Sequence, residues 1–276
     1  MWHAREVSNQ TTRIHATLRW RRDLEYRGDT VPHVLYRRTR DPRQARVLGV
    51  AGLRWVLANR AWTPYYLVRY WRYAMLRLRH PDVVTEGFVL LGRRVDIELR
   101  RGYGRIVLGR WVHLGDGTSL RAHEGTLRIG DKVVFGSHNV VNCYLDVEIG
   151  AGTLLADWIY VTDFDHVTTD VTRPIKDQGI VKGPVRIGPD CWLAAKVSVL
   201  RGADIGRGCV LAAHTVARGT YPDFAVVAGI PGRVVKDRLE VYADDAANRA
   251  YLERLAEHTR DVAEGRISQP PRAPKS

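Results

Sequence analysis

From about residue 106 onward, aliphatic residues return at every sixth position, and that period excludes most folds at once. The clearest run is Ile187, Leu193, Val199, Ile205, Leu211 and Ala217. Four residues after each stand Cys191, Val197, Ala203, Cys209, Thr215 and Tyr221, nearly all small or β-branched. Earlier stretches keep the phase locally: Leu108, Leu114, Leu120; then Ile129, Phe135, Val141; then Ile149, Leu155, Val161. Ile-Gly or Leu-Gly pairs recur at Leu108-Gly109, Leu114-Gly115, Ile129-Gly130, Ile149-Gly150, Ile187-Gly188 and Ile205-Gly206. An amphipathic helix repeats near 3.6 residues and a half-buried strand near 2, so neither accounts for six.

Six-residue repeats are a signature of the parallel β-helix. The coil is a triangle of three short strands, one hexapeptide per side. The aliphatic residue points inward, the small residue sits near the corner, and glycine or a polar residue takes the turn. About eighteen residues then complete one coil, so Cys191 stacks on Cys209 and Ile187 on Ile205. With roughly 4.8 Å between coils, about seven coils make a prism roughly 30 Å tall. Such coils turn left-handed, against the usual right-handed crossover. The expected fold is mainly β: a left-handed parallel β-helix with a helical N-terminal region and a C-terminal helix. The stacked cysteines read as a buried ladder of small residues, since a free Cys behaves as a small hydrophobe.

The chain of 276 residues has three cysteines, Cys143, Cys191 and Cys209, too few and too scattered for a secreted disulfide framework. No C-x-x-C or His/Cys cluster has zinc spacing, so no metal is expected. The longest apolar stretch, Val47 to Leu53, falls far short of the roughly 18 residues needed to cross a bilayer. Arginines at 5, 13, 19, 21 and 22 interrupt every candidate signal-peptide core. The expectation is a cytoplasmic protein, at most peripheral at the inner face of the membrane.

Of the net charge of +13, residues 1–81 hold +12, from seventeen Arg and five acids, with no Lys. That asymmetry divides the chain into a basic, aromatic-rich helical region (1–81), a β-helix domain (82–238), and a C-terminal helix over Leu239 to Gly265 with a disordered tail (239–276). Two helices are expected in the basic part, Arg46 to Ala61 and Tyr65 to Arg79, broken at Thr63-Pro64 because proline disfavours a helical predecessor. The second sets Arg69, Arg72 and Arg79 near one face and draws apolar area from Leu67, Tyr70, Trp71, Ala74 and Leu78. Residues 46–79 could contact an anionic membrane in this way, or the aromatics could pack on the next domain. No recognised nucleic-acid motif accompanies the arginines, so nucleic acid is not expected.

The rhythm breaks after Val161 and resumes at Ile187, which makes residues 162–184 a loop thrust out of the prism. Long loops on rigid scaffolds carry function more often than decoration. This one contains His166, flanked by Asp163, Asp165 and Asp170. A histidine beside carboxylates can be held in one tautomer and act as a general base.

The hexapeptides, the DHVTTD loop, the block IGPDCWLAAKVSVLRGADIGRG and the closing AVVAGIPGRVV together resemble hexapeptide acyltransferases of the maltose and galactoside O-acetyltransferase type. The likeness is greatest to those that modify cell-surface polysaccharides, and it spans about residues 106–238. It implies a homotrimer with acetyl-CoA, or another short acyl-CoA, as co-substrate in the cleft between adjacent prisms. His166 matches the family's catalytic histidine; Asp163 or Asp165 could orient it through its second nitrogen, or either could cap a turn. Ala195 matches a backbone oxyanion donor, and Trp192 an aromatic beside the acyl site. For coenzyme A the resemblance carries over Ala213, Arg218 and Arg233, and for the acceptor Asn142, with Asn139 competing and Asp165 nearby. The long N-terminal region and Asp165-His166-Val167, where sugar acetyltransferases often have His-Pro, depart from the compact members. Both departures point to a larger acceptor than a free sugar.

The leading expectation is an O-acetyltransferase acting on a sugar, polysaccharide or glycolipid hydroxyl. N-acetylation of an amino-sugar nucleotide is the alternative within the same chemistry. A prism-type carbonic anhydrase would need His113, His123 and His138 to converge on zinc. A non-catalytic membrane-associated scaffold is the remaining alternative.

Overall fold

The computed structural model of the protein describes residues 60–243, together with Arg54, Val56, Leu57 and Glu253. From Val84 the chain winds into a three-sided prism of short parallel strands. The first face stacks Val84–Thr85, Gly104–Leu108, Gly125–Ile129, Asp146–Ile149, Val185–Ile187, Asp204–Ile205 and Thr220–Tyr221. The second stacks Leu90–Leu91, His113–Leu114, Val134–Phe135, Leu154–Leu155, Trp192–Leu193, Val210–Leu211 and Ala225–Ala228, closed by the antiparallel Arg233–Asp237. The third stacks Asp96–Leu99, Ser119–Ala122, Val140–Cys143, Tyr160–Thr162, Ser198–Val199 and Val216–Ala217. We call the corners edge I (first face to second), edge II (second to third) and edge III (third back to first).

The six-residue aliphatic positions fill the prism: Leu108, Leu114, Leu120, Leu155, Val161, Leu193, Val199 and Leu211 are fully buried. The small residues four positions later close the corners, with Cys191 stacked below Cys209 and both buried. The Ile-Gly and Leu-Gly glycines serve close approach rather than an unusual backbone angle. A Cβ on Gly115 would stand 2.0 Å from the Gly136 carbonyl oxygen, and one on Gly150 would stand 2.3 Å from the Pro189 nitrogen. The left-handed positions of the turns fall elsewhere, on Trp111, Lys132, His138, Trp158, Asp190, Lys196, His214 and Phe224. The N–H of each donates to a carbonyl one coil below, as His138 does to Asp116 and Lys196 to Asp157. That inter-coil bond is what holds non-glycine residues in a conformation they otherwise avoid.

Eighteen residues per coil holds only where the run is clearest. Ile187 pairs with Ile205 at that spacing, but Thr85 pairs with Leu108 at 23 residues and Leu108 with Ile129 at 21. Ile129 pairs with Ile149 at 20, and Ile205 with Tyr221 at 16. The surplus sits at edge III, where Arg100–Tyr103, His123–Glu124 and Tyr144–Leu145 bulge outward. The inward face keeps its six-residue spacing because only that face must fill a closed triangle.

Helix α1 (Pro64–Arg79) lies across the base. Thr63 is its N-cap and Pro64 its first residue, where a missing N–H costs nothing. It stops at His80, which precedes Pro81. Tyr73 and Leu76 are its buried residues, and the Tyr73 hydroxyl is 2.9 Å from Thr85 Oγ1 and donates to the Gly87 carbonyl at 3.0 Å. At the other end the closing block folds into the antiparallel pair Ala225–Ala228 and Arg233–Asp237, followed by α2 (Arg238–Ala243). Most of the expected Arg46–Ala61 helix, the C-terminal helix beyond Ala243 save Glu253, and the terminal tail lie outside the described residues. Among the described residues no helix is long and apolar enough to cross a membrane.

Candidate active site

The interruption is a β-hairpin leaving edge III. Phe164–His166 pairs antiparallel with Ile180–Lys182, His166 opposite Ile180, and the prism resumes at Val185. Its tip is braced by a turn at Ile175–Asp177 and by Gln178, whose Nε2 donates to the Asp170 and Arg173 carbonyls. Hydrogen bonds from the Thr172 hydroxyl and N–H hold the Asp170 carboxyl below its ordinary range. His166 is exposed, with its ring edge-on to Phe164 at 6.0 Å.

Two groups the sequence reading missed fix the root of this hairpin. Along edge III, His123 stacks on Tyr144 (4.6 Å) and Phe164 lies tilted against Tyr144 (4.4 Å), a column of rings one per coil. Beside it, Arg201 Nε donates to Asp165 Oδ2 at 2.9 Å and Arg218 lies 3.8 Å from the same oxygen. Lys182 on the returning strand pairs with Glu124, which also meets Arg100 at 3.5 Å. The signal was in the register: Tyr144 and Phe164 follow His123 at the same steps of about 20 as the coils themselves.

Neither aspartate orients His166. Asp163 is fully buried and accepts the backbone N–H groups of Tyr144 (2.8 Å), Leu145 (2.7 Å) and Asp146 (2.8 Å), so its carboxylate closes the bulge below. Asp165 faces the opposite side of its strand from Phe164 and His166 and is held by the two arginines. Asn139 is likewise no acceptor ligand. It is fully buried at edge II, its Nδ2 donating to the Gly136 carbonyl (3.0 Å) and its Oδ1 accepting the Ile159 N–H (2.6 Å). Asn142 does reach the surface on the third face, donating to the Tyr160 hydroxyl at 3.4 Å.

The remaining candidates gather on the second face and edge II. Trp192 projects outward, 48% exposed, between Leu154 and Val210 of adjacent coils. Ala195 and Ala213 occupy equivalent exposed turn positions one coil apart, and Arg233 is exposed on the closing strand. At this turn position the backbone N–H is capped in some coils and, among the described residues, finds no acceptor in others, Asp116 and Asp157 as well as Ala195. The Arg93 N–H at the equivalent place is capped by Asp116 (2.7 Å) and the Ser137 N–H by Asp157 (2.6 Å), each from the coil above. Above Ala195 stands Ala213, which has no carboxylate, and among the described residues no acceptor takes the Ala195 N–H. Arg218 departs from this group, lying on edge III with Asp165. His166 and Ala195 therefore belong to different edges of one prism, separated by a hexapeptide side roughly 20 Å long when extended.

The three histidines required of a zinc site do not converge. His113 is on the second face, where burial, with a lesser push from Arg69, holds its imidazole below the ordinary range. His123 is at edge III and His138 at edge II, stacked on Trp158 at 4.5 Å. Among the described residues no cluster of His, Cys, Asp or Glu is suited to a metal ion.

No protein-family model matches the chain. Over 215 residues, 78% of this chain and 72% of the relative, it is 57% identical to a protein of Mycobacterium tuberculosis assigned as a probable acetyltransferase. Over 150 residues, 49% of this chain and 74% of the relative, it is 34% identical to WbbJ of Escherichia coli, assigned as an O-acetyl transferase of lipopolysaccharide biosynthesis. Among solved structures, AntD, an N-acyltransferase from Bacillus cereus in complex with dTDP and 3-hydroxybutyryl-CoA, superposes with a TM-score of 0.52 at 18% identity, covering 66% of this chain and 96% of that one.

Proposed function

The chain belongs to the hexapeptide-repeat acetyltransferase family, and on that premise we propose that it transfers an acetyl group from acetyl-CoA to a hydroxyl of a sugar, polysaccharide or glycolipid, with His166 as general base. The observation that carries the reading is the exposed His166 on a hairpin pinned at its root from the coils above and below. A hydroxyl loses its proton too reluctantly to attack a thioester unaided, so the imidazole removes that proton as the C–O bond forms. The oxygen of the thioester carbonyl becomes an oxyanion, and the uncapped N–H of Ala195 is the donor aimed at it. Collapse breaks the C–S bond, and the departing thiolate takes the proton from the imidazolium. Trp192 and the apolar surface beside it suit the acyl and pantetheine portion, and Arg233 suits a phosphate.

Because His166 and Ala195 stand on different edges, we infer that a complete site is shared by two copies in a homotrimer. The outward residues Leu154, Trp158, Tyr160 and Trp192, all more than a third exposed, supply apolar surface for that contact. The similarity to WbbJ favours oxygen over nitrogen as the acceptor atom, while the likeness to AntD extends to the fold alone.

A mass-spectrometric screen of glycans and amino-sugar nucleotides incubated with acetyl-CoA tests the reading, with His166→Ala as the blank. The expected result is acetyl ester formation on a glycan, reduced by about two to four orders of magnitude in the variant. Full activity of His166→Ala, or transfer to amines alone, would overturn it.

A further inference from the structure

Helix α1 turns a second face away from the protein. Tyr73 and Leu76 are buried against the first coil. At about 100° per residue, Leu67, Trp71, Ala74 and Leu78 fall in one narrow strip on the opposite side. All four are exposed, Trp71 at 64% and Leu78 at 72%. The helix carries Arg69, Arg72, Arg77 and Arg79 and no acidic residue. Beside the strip, helix and first coil enclose a groove of about 480 Å³ with an apolar floor that includes Met75 and Leu76 and a rim that includes Arg79, Arg93 and Arg94. Arg93 is paired with Asp116 at 3.0 Å, whereas Arg79 and Arg94 make no ion pair among the described residues.

We propose that this end of the prism docks on an anionic lipid surface, with the Leu67–Trp71–Ala74–Leu78 strip in the interfacial layer and a headgroup phosphate between Arg79 and Arg94. The placement of the residues carries it. An apolar strip flanked by arginines, with an indole at its centre, is what a helix lying in a headgroup layer requires. The +12 of residues 1–81 supplies longer-range attraction to a negative surface. A nucleic acid would use the arginines and leave the aliphatic strip without purpose. The inference is independent of the acyl-transfer reading.

The test is flotation of the full chain with vesicles of phosphatidylcholine alone or mixed with phosphatidylglycerol, at low and high salt. Binding is expected only to the mixed vesicles and is expected to weaken with salt. Leu67→Ser/Trp71→Ser/Leu78→Ser should weaken it by about tenfold or more, and Arg79→Gln/Arg94→Gln by about twentyfold. Circular dichroism of both variants should match the parent, and the arginine pair keeps the test valid if the strip variant misfolds. Absence of binding to anionic vesicles, equal binding to neutral ones, or indifference to the arginine pair overturns the proposal. So does displacement from the vesicles by a DNA oligonucleotide that binds the strip variant as tightly as the parent.

Discussion

Asn139 and Asp163 show how much backbone one buried polar side chain can hold. Each reaches across from one coil to its neighbour and satisfies backbone N–H groups at a corner, Asn139 the Ile159 N–H at edge II and Asp163 three N–H groups of the bulge at edge III. Deleting the acceptor strands those groups away from water, which costs about 1–3 kcal/mol per group. Asn139→Ala should therefore lower unfolding stability by about 2–3 kcal/mol and Asp163→Ala by more, measured by denaturant titration. A catalytic role for Asp163 would instead show as lost turnover at unchanged stability. At Lys132 the sign reverses. Its φ of 57° is costly for a side chain, so Lys132→Gly should be neutral or stabilising by up to about 1 kcal/mol. The cysteines supply a third test. Burial pushes the Cys143 thiol well up from its ordinary value, and the hydrogen bond with Cys209, followed by burial, does the same for Cys191. With the thiolate form of Cys143 and Cys191 suppressed and all three side chains buried, a disulfide reagent at mildly alkaline pH should label none of the three until the protein unfolds.

At the scale of elements, the hairpin that carries His166 is stiffened by partners lying on other coils. The Arg201–Asp165 pair is half open to solvent, with side chains 25% and 38% exposed, so its worth to global stability is under about 1 kcal/mol. On the proposed mechanism its worth to catalysis is positional, because it sets the strand on which the imidazole stands. Arg201→Ala should lower turnover by about tenfold with a melting temperature close to the parent's, and Arg201→Lys should restore part of the loss. These partners also mark the limit of what the chain discloses before it is folded. The inward hexad from Leu108 to Ala217 could be read directly, because filling a triangle forces one residue type at one spacing. Outward contacts obey no such rule. Asp163 meets Tyr144 to Asp146, and Lys182 meets Glu124, through coil lengths that change from 23 to 21 to 20 residues at edge III. A polar residue near a functional loop looks the same in sequence whether it serves a substrate or a corner. His166 stood out because it interrupts the period, whereas Asn139 sits within it and Asp163 stands right at the break, where a loop residue and a corner residue look alike.

Across the whole molecule, the surplus residues of the long coils collect on edge III, and the uncapped turn at Ala195 lies on edge II. A rigid prism cannot bend to bring two of its edges together, so His166 of one copy must meet Ala195 of another if both act on one thioester. In a closed three-fold ring every subunit then lends its hairpin to one neighbour and its turn to the other. Mixed trimers test this directly. His166→Ala removes the base, and Ala195→Pro removes the turn N–H without touching the hairpin. Each homotrimer should be inactive. In a ring containing both variants, one of the three clefts receives an intact histidine and an intact alanine, whichever variant is in the majority. Random assembly makes three-quarters of the rings mixed, so coexpression should restore about a quarter of the parent's acetyl transfer. Circular dichroism and the elution volume of Ala195→Pro check that it folds and assembles. If base and donor served the same chain, no mixture would recover activity.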